Sequence, residues 1–221
     1  MNTLTTNPVA ALLARLFAEA EAASAATEAA VADLSDDQRM AMMRSKTAYR
    51  ELYGRLSRDP LAVSPETGRL LYMLARAAKA RTIVEFGTSF GISTLHLAAA
   101  LRDNGGGRLI TTEFEPFKVA RARENLTAGG LIDLVEIRAG DALRTLAADL
   151  PETIDLLLLD GAKSLYPDIL ALVETRLAPG AVIVADNADF SPEYLDRVRS
   201  ADNGYLSVAF ADDVELTVRL G

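Results

Sequence analysis

The stretch "VEFGTSFGISTLHLA", residues 84–98, decides how this chain is read. An apolar run ends on an acid, Glu85, and two glycines follow four apart, Gly87 and Gly91. Glycine lacks a Cβ and tolerates left-handed backbone, so it marks a tight turn or a place where something approaches the main chain closely. A strand, a glycine turn and a helix in this order present free N–H groups and a positive dipole end to an anionic ligand group. Ser93, in the first turn of that helix, adds a candidate hydroxyl donor. By itself G-x-x-x-G reads equally well as a bare strand-to-helix turn.

The sequence on either side supplies a fold. Short apolar runs recur after residue 81: "TIVEF" (82–86), "RLITTE" (108–113), "LVEIR" (134–138), "IDLLLLD" (154–160) and "AVIVAD" (181–186). Helical stretches separate most of them. "LLLL" and "VIV" do not alternate with polar residues, as expected for strands covered on both faces. Strand and helix in alternation predict a doubly wound, mostly parallel Rossmann-like sheet. "YLSVAF" (205–210) and "VELTVRL" (214–220) lie only three residues apart, too close for a parallel crossover, so they are expected as an antiparallel hairpin at the sheet's end.

Residues 8–58 contain no strand-like run and are expected to be helical, which divides the chain into an N-terminal helical extension (1–58) and an α/β domain (59–221). The alanine bias of "AEAEAASAATEAAVADLS" (18–35) is explained by helix propensity alone. "SDDQ" (35–38) fits a capping box, and "SP" (64–65) an N-cap followed by proline at the first helical position. Leu71, Leu74, Ala75 and Ala78 give the second of these helices an apolar stripe. Met40, Met42 and Met43 suit a lid or a dimer seam, but ordinary helix packing is the simpler account.

Composition narrows the function classes. Of 221 residues, 50% are hydrophobic and 24% charged, as in a globular protein. With 23 basic and 31 acidic residues the net charge is −8, which disfavours a phosphate-backbone partner. No cysteine is present, so neither disulfides nor thiolate chemistry arise. No basic leader precedes an apolar stretch, and no run approaches a membrane span. A cytoplasmic protein without nucleic-acid or membrane partners is expected.

Further acids stand where chemistry is built in such folds. Glu113 ends the second strand, where a carboxylate accepts the hydroxyls of a ribose. As a helix cap it would be redundant, because Glu115 and Pro116 already provide cap and first-turn proline. Position 89 is Ser, so the G-x-G-x-x-G of a dinucleotide site is absent, and a nucleoside without phosphates fits better. Asp160 and Asp186 end the fourth and fifth strands. On neighbouring strands their tips lie roughly 5 Å apart, and with the amide oxygen of Asn187 they form three hard oxygen ligands suited to Mg²⁺ or Ca²⁺ rather than zinc. Both could instead cap helices, but Ser191–Pro192 and Pro167 place the next helix starts further on. Lys163, from the sequence alone, reads as an ordinary surface lysine, and His96 as a packed core residue.

"VEFGTSFGISTLHLA", "RLITTEFEP", "AGDAL", "LLLLDGAK" and "VIVADN" occur in the order and spacing of class I S-adenosylmethionine methyltransferases. Over about residues 60–221 the chain most resembles the metal-dependent catechol and caffeoyl-coenzyme A O-methyltransferases. The resemblance implies that Glu85, Gly87 and Ser93 surround the methionine part of S-adenosylmethionine, with Val63, Thr88 and Asp160 also in the cofactor site. It implies that Glu113 holds the ribose and that Asp141 and Ala142 border the adenine. It makes Asp160, Asp186 and Asn187 the ligands of a divalent cation, with Mg²⁺ expected. In its D-x-x-K pattern, Lys163 takes the proton of the acceptor hydroxyl, a role for which a nearby dication and partial burial should lower its pKa. Gly161, Ala162 and "DNADFSPEYL" (186–195) depart from the family pattern, so acceptor contacts do not carry over. The expectation is an O-methyltransferase acting on a small phenolic, catechol-like acceptor, and a homodimer. The rivals are a nicotinamide-dependent oxidoreductase and a non-catalytic cofactor-binding protein of the same fold.

Overall fold

The computed structural model describes residues 2–210 and 213–221, without the side chain of residue 201. Three helices come first, α1 (Val9–Ala29), α2 (Asp36–Arg44) and α3 (Tyr49–Arg55), and α4 (Pro65–Ala77) leads into the sheet. Then follow β1 (Thr82–Phe86), α5 (Ile92–Asp103), β2 (Arg108–Glu113), α6 (Pro116–Ala128), β3 (Val135–Ala139), α7 (Ala142–Thr145) and β4 (Ile154–Leu159). The chain continues through α8 (Tyr166–Val173), β5 (Leu177–Ala185), α9 (Pro192–Arg199), β6 (Tyr205–Phe210) and β7 (Val214–Arg219). The expected capping box forms at Ser35 and Gln38, and Ser64 caps α4 with Pro65 in its first turn.

The strands form one seven-stranded sheet in the order β3-β2-β1-β4-β5-β7-β6. β1 to β5 run parallel, and β7 pairs antiparallel with both β5 and β6. The terminal hairpin is therefore present, though its connecting residues 211 and 212 lie outside the described part. β5 starts four residues earlier than its apolar core suggests, and its pairing with β4 shifts register between Ile154 and Leu156. Strand order reverses between β1 and β4, so the crevice beyond their carboxyl ends is where a ligand site belongs.

Burial explains these elements. Leu156 to Leu159 are fully buried, because each face of the sheet carries helices. On one face α1, α4 and α5 share a core cluster, and α8 and α9 build the other through Tyr166 and Tyr194. Residues 92–101 of α5 are all buried, as expected of a helix held between the sheet and other helices. His96 is packed there, its Nδ1 2.8 Å from the Ile92 carbonyl. In the α4 stripe Leu71 and Ala75 are buried, but Ala78 is exposed at the helix's C-cap.

The N-terminal helices differ from a simple appendage. Val9, Leu12, Leu13 and Leu16 of α1 belong to the main core cluster, so its first half is part of the α/β core. Its second half runs past the sheet towards the crevice. No helix among the described residues is long and apolar enough to cross a membrane.

Candidate active site

A cavity of about 600 Å³ opens beyond the carboxyl ends of the parallel strands. Its floor comes from the strand tips and its roof from the second half of α1, from α2 and α3, and from residues 60–63. Of the cofactor and metal residues expected from sequence, Val63, Gly87, Thr88, Ser93, Glu113, Asp141, Ala142, Asp160, Lys163, Asp186 and Asn187 all line it. Glu85 does not.

The glycine turn has a different cause from the close ligand approach that the sequence suggests. Gly87 has φ 101°, and a Cβ built there would stand 2.5 Å from the backbone oxygen of Asp160. What passes so close is the chain itself, at the tip of β4. Gly91 has φ 84°, whereas a Cβ there would meet Ala122 at an ordinary 3.5 Å, so handedness and not space requires glycine. The resulting turn sets Gly87, Thr88 and Ser89 along the cavity, with Ser89 itself at φ 47° and its hydroxyl buried without a partner.

Glu85 is fully buried behind this turn, where it accepts hydrogen bonds from Ser93 Oγ at 2.5 Å and Thr94 Oγ1 at 2.6 Å. It therefore supports the cavity wall through Ser93 instead of lining the cavity. Ser93 in turn does not offer the donor expected of it, because its proton is engaged by Glu85. Its remaining lone pairs and the unpaired N–H groups of the first turn of α5 are what it presents to the cavity.

Burial pushes Glu85 up to about 7, against the hydrogen bonds of Ser93, Thr111 and Thr94. The folded chain thus keeps a proton that the unfolded chain loses near its ordinary value of 4.5. Stability is full below that value and declines as pH rises towards about 7, by up to roughly 1.4 kcal/mol per pH unit. Urea unfolding at pH 5 and pH 8 should show native protein losing about 2–3 kcal/mol more over that interval than Glu85→Gln. Equal losses in both proteins would mean that Glu85 is not the group responsible.

Glu113 ends β2 with its carboxylate turned to the cavity, accepting N–H groups from Ser89 at 2.9 Å and Glu115 at 3.0 Å. It is thus partly engaged by the turn and by the Glu115 N–H, but each oxygen keeps a further acceptor position. Burial raises its pKa. Glu115 and Pro116 start α6 as expected, although the Glu115 side chain makes no cap hydrogen bond. Asp141 caps α7 through the Leu143 N–H at 3.0 Å and is paired with Arg50 of α3 at 2.8 Å.

At the tips of β4 and β5, adjacent in the sheet, Asp160 and Asp186 face the same space. Burial pushes Asp186 up to about 7, and the neighbouring Asp160 carboxylate adds to the rise. Asn187 follows in left-handed backbone at φ 49°, a conformation that asparagine tolerates. Its amide nitrogen donates to Asp213 at 3.0 Å, which leaves its oxygen free. No group of three or more His, Cys, Asp or Glu side chains suited to a metal occurs among the described residues. The set here is two carboxylates and an amide, hard oxygen donors whose mutual repulsion a dication would relieve, so the residues fit Mg²⁺.

Lys163 is buried, with Nζ 3.0 Å from Asp160 Oδ1. Burial alone would push its ammonium down, but Tyr166, Asp160, Tyr53 and Asp186 hold it well above the usual lysine value. That reverses the direction expected from sequence, because the acids and tyrosines around it outweigh its burial. It also overturns the reading of Lys163 as a surface side chain.

Several cavity residues escaped the sequence reading, among them Tyr49, Tyr53, Phe114 and Lys118. Tyr53 reaches from α3 to the neighbourhood of Lys163 and Asp160, and Tyr49 meets Phe114 edge-on. The two tyrosines lie four apart on one helix face, the one signal that could have paired them. Ala20, Ser24, Thr27 and Glu28 also line the cavity, so the alanine-rich segment does more than propagate a helix.

Residues 84–188 match a family model described as a methyltransferase domain. The chain is 37% identical over 139 residues to a catechol O-methyltransferase of Niastella koreensis, a match covering 62% of each protein. It thus spans just under two thirds of the length of that relative. Among solved structures, cofactor-bound Rv0187 from MTB is similar with a TM-score of 0.71 and 25% identity, covering 98% of this chain and 93% of that one. The O-methyltransferase TomG from Streptomyces achromogenes, in complex with SAM, is similar with a TM-score of 0.64 and 26% identity, covering 92% of this chain and 99% of that one. Residues 84–188 are thus similar to a methyltransferase domain, and the sheet has the Rossmann-like fold of methyltransferases.

Proposed function

We propose that the protein is an S-adenosylmethionine-dependent O-methyltransferase that moves a methyl group to a hydroxyl of a small phenolic, catechol-like acceptor with the help of a divalent cation. The observation that carries this reading is the convergence of Glu113, Ser93 and the Asp160–Asp186–Asn187 set on one cavity at the sheet's switch point. Glu113 would accept the ribose hydroxyls, Ser93 and the start of α5 would take the methionyl end, and Asp141 and Ala142 would border the adenine. Bound S-adenosylmethionine supplies an electrophilic methyl on a sulfonium. Asp160, Asp186 and Asn187 would hold a divalent cation, which would supply positive charge at the acceptor oxygen.

The chain's own part is to orient and deprotonate. Lys163 Nζ stands at Asp160; neutralising those acids would let its ammonium release a proton to solvent, and the neutral amine would then take the acceptor's proton. Tyr53 closes the site from above, and the second half of α1 together with α2 and α3 would serve as its cover. Most of the roof is apolar, with Val31, Met43, Leu52 and Leu56, as a flat aromatic acceptor requires. The relative named for catechol supports the acceptor class. A nicotinamide reading lacks its pyrophosphate loop, as Ser89 occupies the position of the second glycine.

Glu113→Ala tests the ribose contact. Affinity for S-adenosylhomocysteine, measured calorimetrically, should fall by about 1–3 kcal/mol. Because Glu113 also holds Ser89 and Glu115, thermal melting without ligand is compared in parallel. Unchanged affinity would remove Glu113 from the cofactor site.

A further inference from the structure

Lys118 stands in the first turn of α6, only 3% exposed, and it lines the cavity. Its ammonium makes no hydrogen bond or ion pair with a side chain among the described residues. A buried lysine in that state is costly unless something in the cavity answers it. Burial lowers its pKa, while Glu113, Asp59, Glu115 and Asp160 raise it, Glu113 most strongly. None of these acids comes within ion-pair distance, so the ammonium stands beside Glu113 without being consumed by it.

A vicinal diol suits this arrangement chemically. Each hydroxyl has one proton to give and lone pairs to satisfy. Glu113, acceptor-only when ionised, can take the protons. It offers nothing to the oxygens, which in a site this buried need a donor. The protonated amine of Lys118 has three N–H donors and no acceptor, which is the missing half. The ring of Phe117 does not compete, since it packs on Phe90 and under Arg58.

We infer that Lys118 is a second recognition residue for the ribose, donating to the oxygen of a hydroxyl whose proton Glu113 accepts. This rests on the reading of the cavity as an S-adenosylmethionine site. It makes preference for a ribonucleoside over a deoxyribonucleoside a property of the Glu113–Lys118 pair.

The test is calorimetric binding of S-adenosylhomocysteine and of its 2′-deoxy and 3′-deoxy analogues to native protein, Lys118→Met and Lys118→Gln. Methionine keeps the apolar stem, and glutamine keeps neutral N–H donors. Native protein should bind the parent compound, and Lys118→Met should bind it roughly ten- to a hundredfold more weakly, the worth of a hydrogen bond to a charged group. Lys118→Gln should fall between them. For one of the two analogues, the loss that native protein shows relative to the parent compound should largely vanish in Lys118→Met. The inference is overturned if both variants bind the parent compound like native protein, or if native and variant lose equally on removal of either hydroxyl. Failure of native protein to bind S-adenosylhomocysteine at all is a separate result, and it would overturn the underlying reading as well.

Discussion

Lys163→Met should lower the rate of methyl transfer to a catechol by roughly 10²–10⁴, the usual worth of a positioned base. The variant keeps an apolar stem but loses the ammonium, which lies 5.4 Å from the Tyr166 ring centre. Cofactor affinity should stay at the native level, because Glu113, Ser93 and the turn at Gly87 are untouched. The loss therefore belongs in kcat and not in binding of S-adenosylhomocysteine. In the structure Asp160 and Asp186 help to hold Lys163 protonated, so its use as a base depends on their negative charge being neutralised. A Lys163→Met protein as fast as the native one would remove Lys163 from the chemistry.

Asp186→Ala should abolish metal-stimulated turnover, and by a different route. The substitution removes one of two carboxylates at adjacent strand tips and leaves Asp160 and Asn187 alone with Lys163. The acceptor is then neither oriented nor activated, while the ribose end of the cavity is unaffected. EDTA should reproduce the loss in native protein, and added Mg²⁺ should restore it there but not in the variant. Full activity of native protein in EDTA would contradict the metal half of the mechanism.

The sheet was legible because its signals are local. β1, β2 and β6 have the bounds their apolar runs suggest, and the bare "LLLL" of β4 is buried on both faces as its lack of alternation implies. The helix starts at Ser35 and Ser64 follow from capping chemistry contained in four residues. That the acids at the strand tips share one cavity was legible for a related reason, since a parallel sheet brings all its carboxyl ends to one side.

What escaped depends on contacts between distant segments. That Gly87 makes room for the Asp160 backbone requires knowing that β4 lies beside β1, a pairing across more than 70 residues. Lys118 escaped because nothing within α6 itself shows that it is buried at the cavity. Lys163 misleads for the same reason: it is buried with Tyr53 and Tyr166 nearby, and Tyr53 comes from the N-terminal helices. Those helices were legible as helices, but their part in the core and in the roof of the cavity is set by packing that no periodicity records.

The central claim is that the cavity holds a nucleoside with a methionyl tail and not a dinucleotide. Titrating the native protein with S-adenosylhomocysteine and, separately, with NADH in a calorimeter measures this directly. Saturable heat at one site per chain with S-adenosylhomocysteine, and none with NADH, is the predicted result. Binding of NADH with no response to S-adenosylhomocysteine would contradict it.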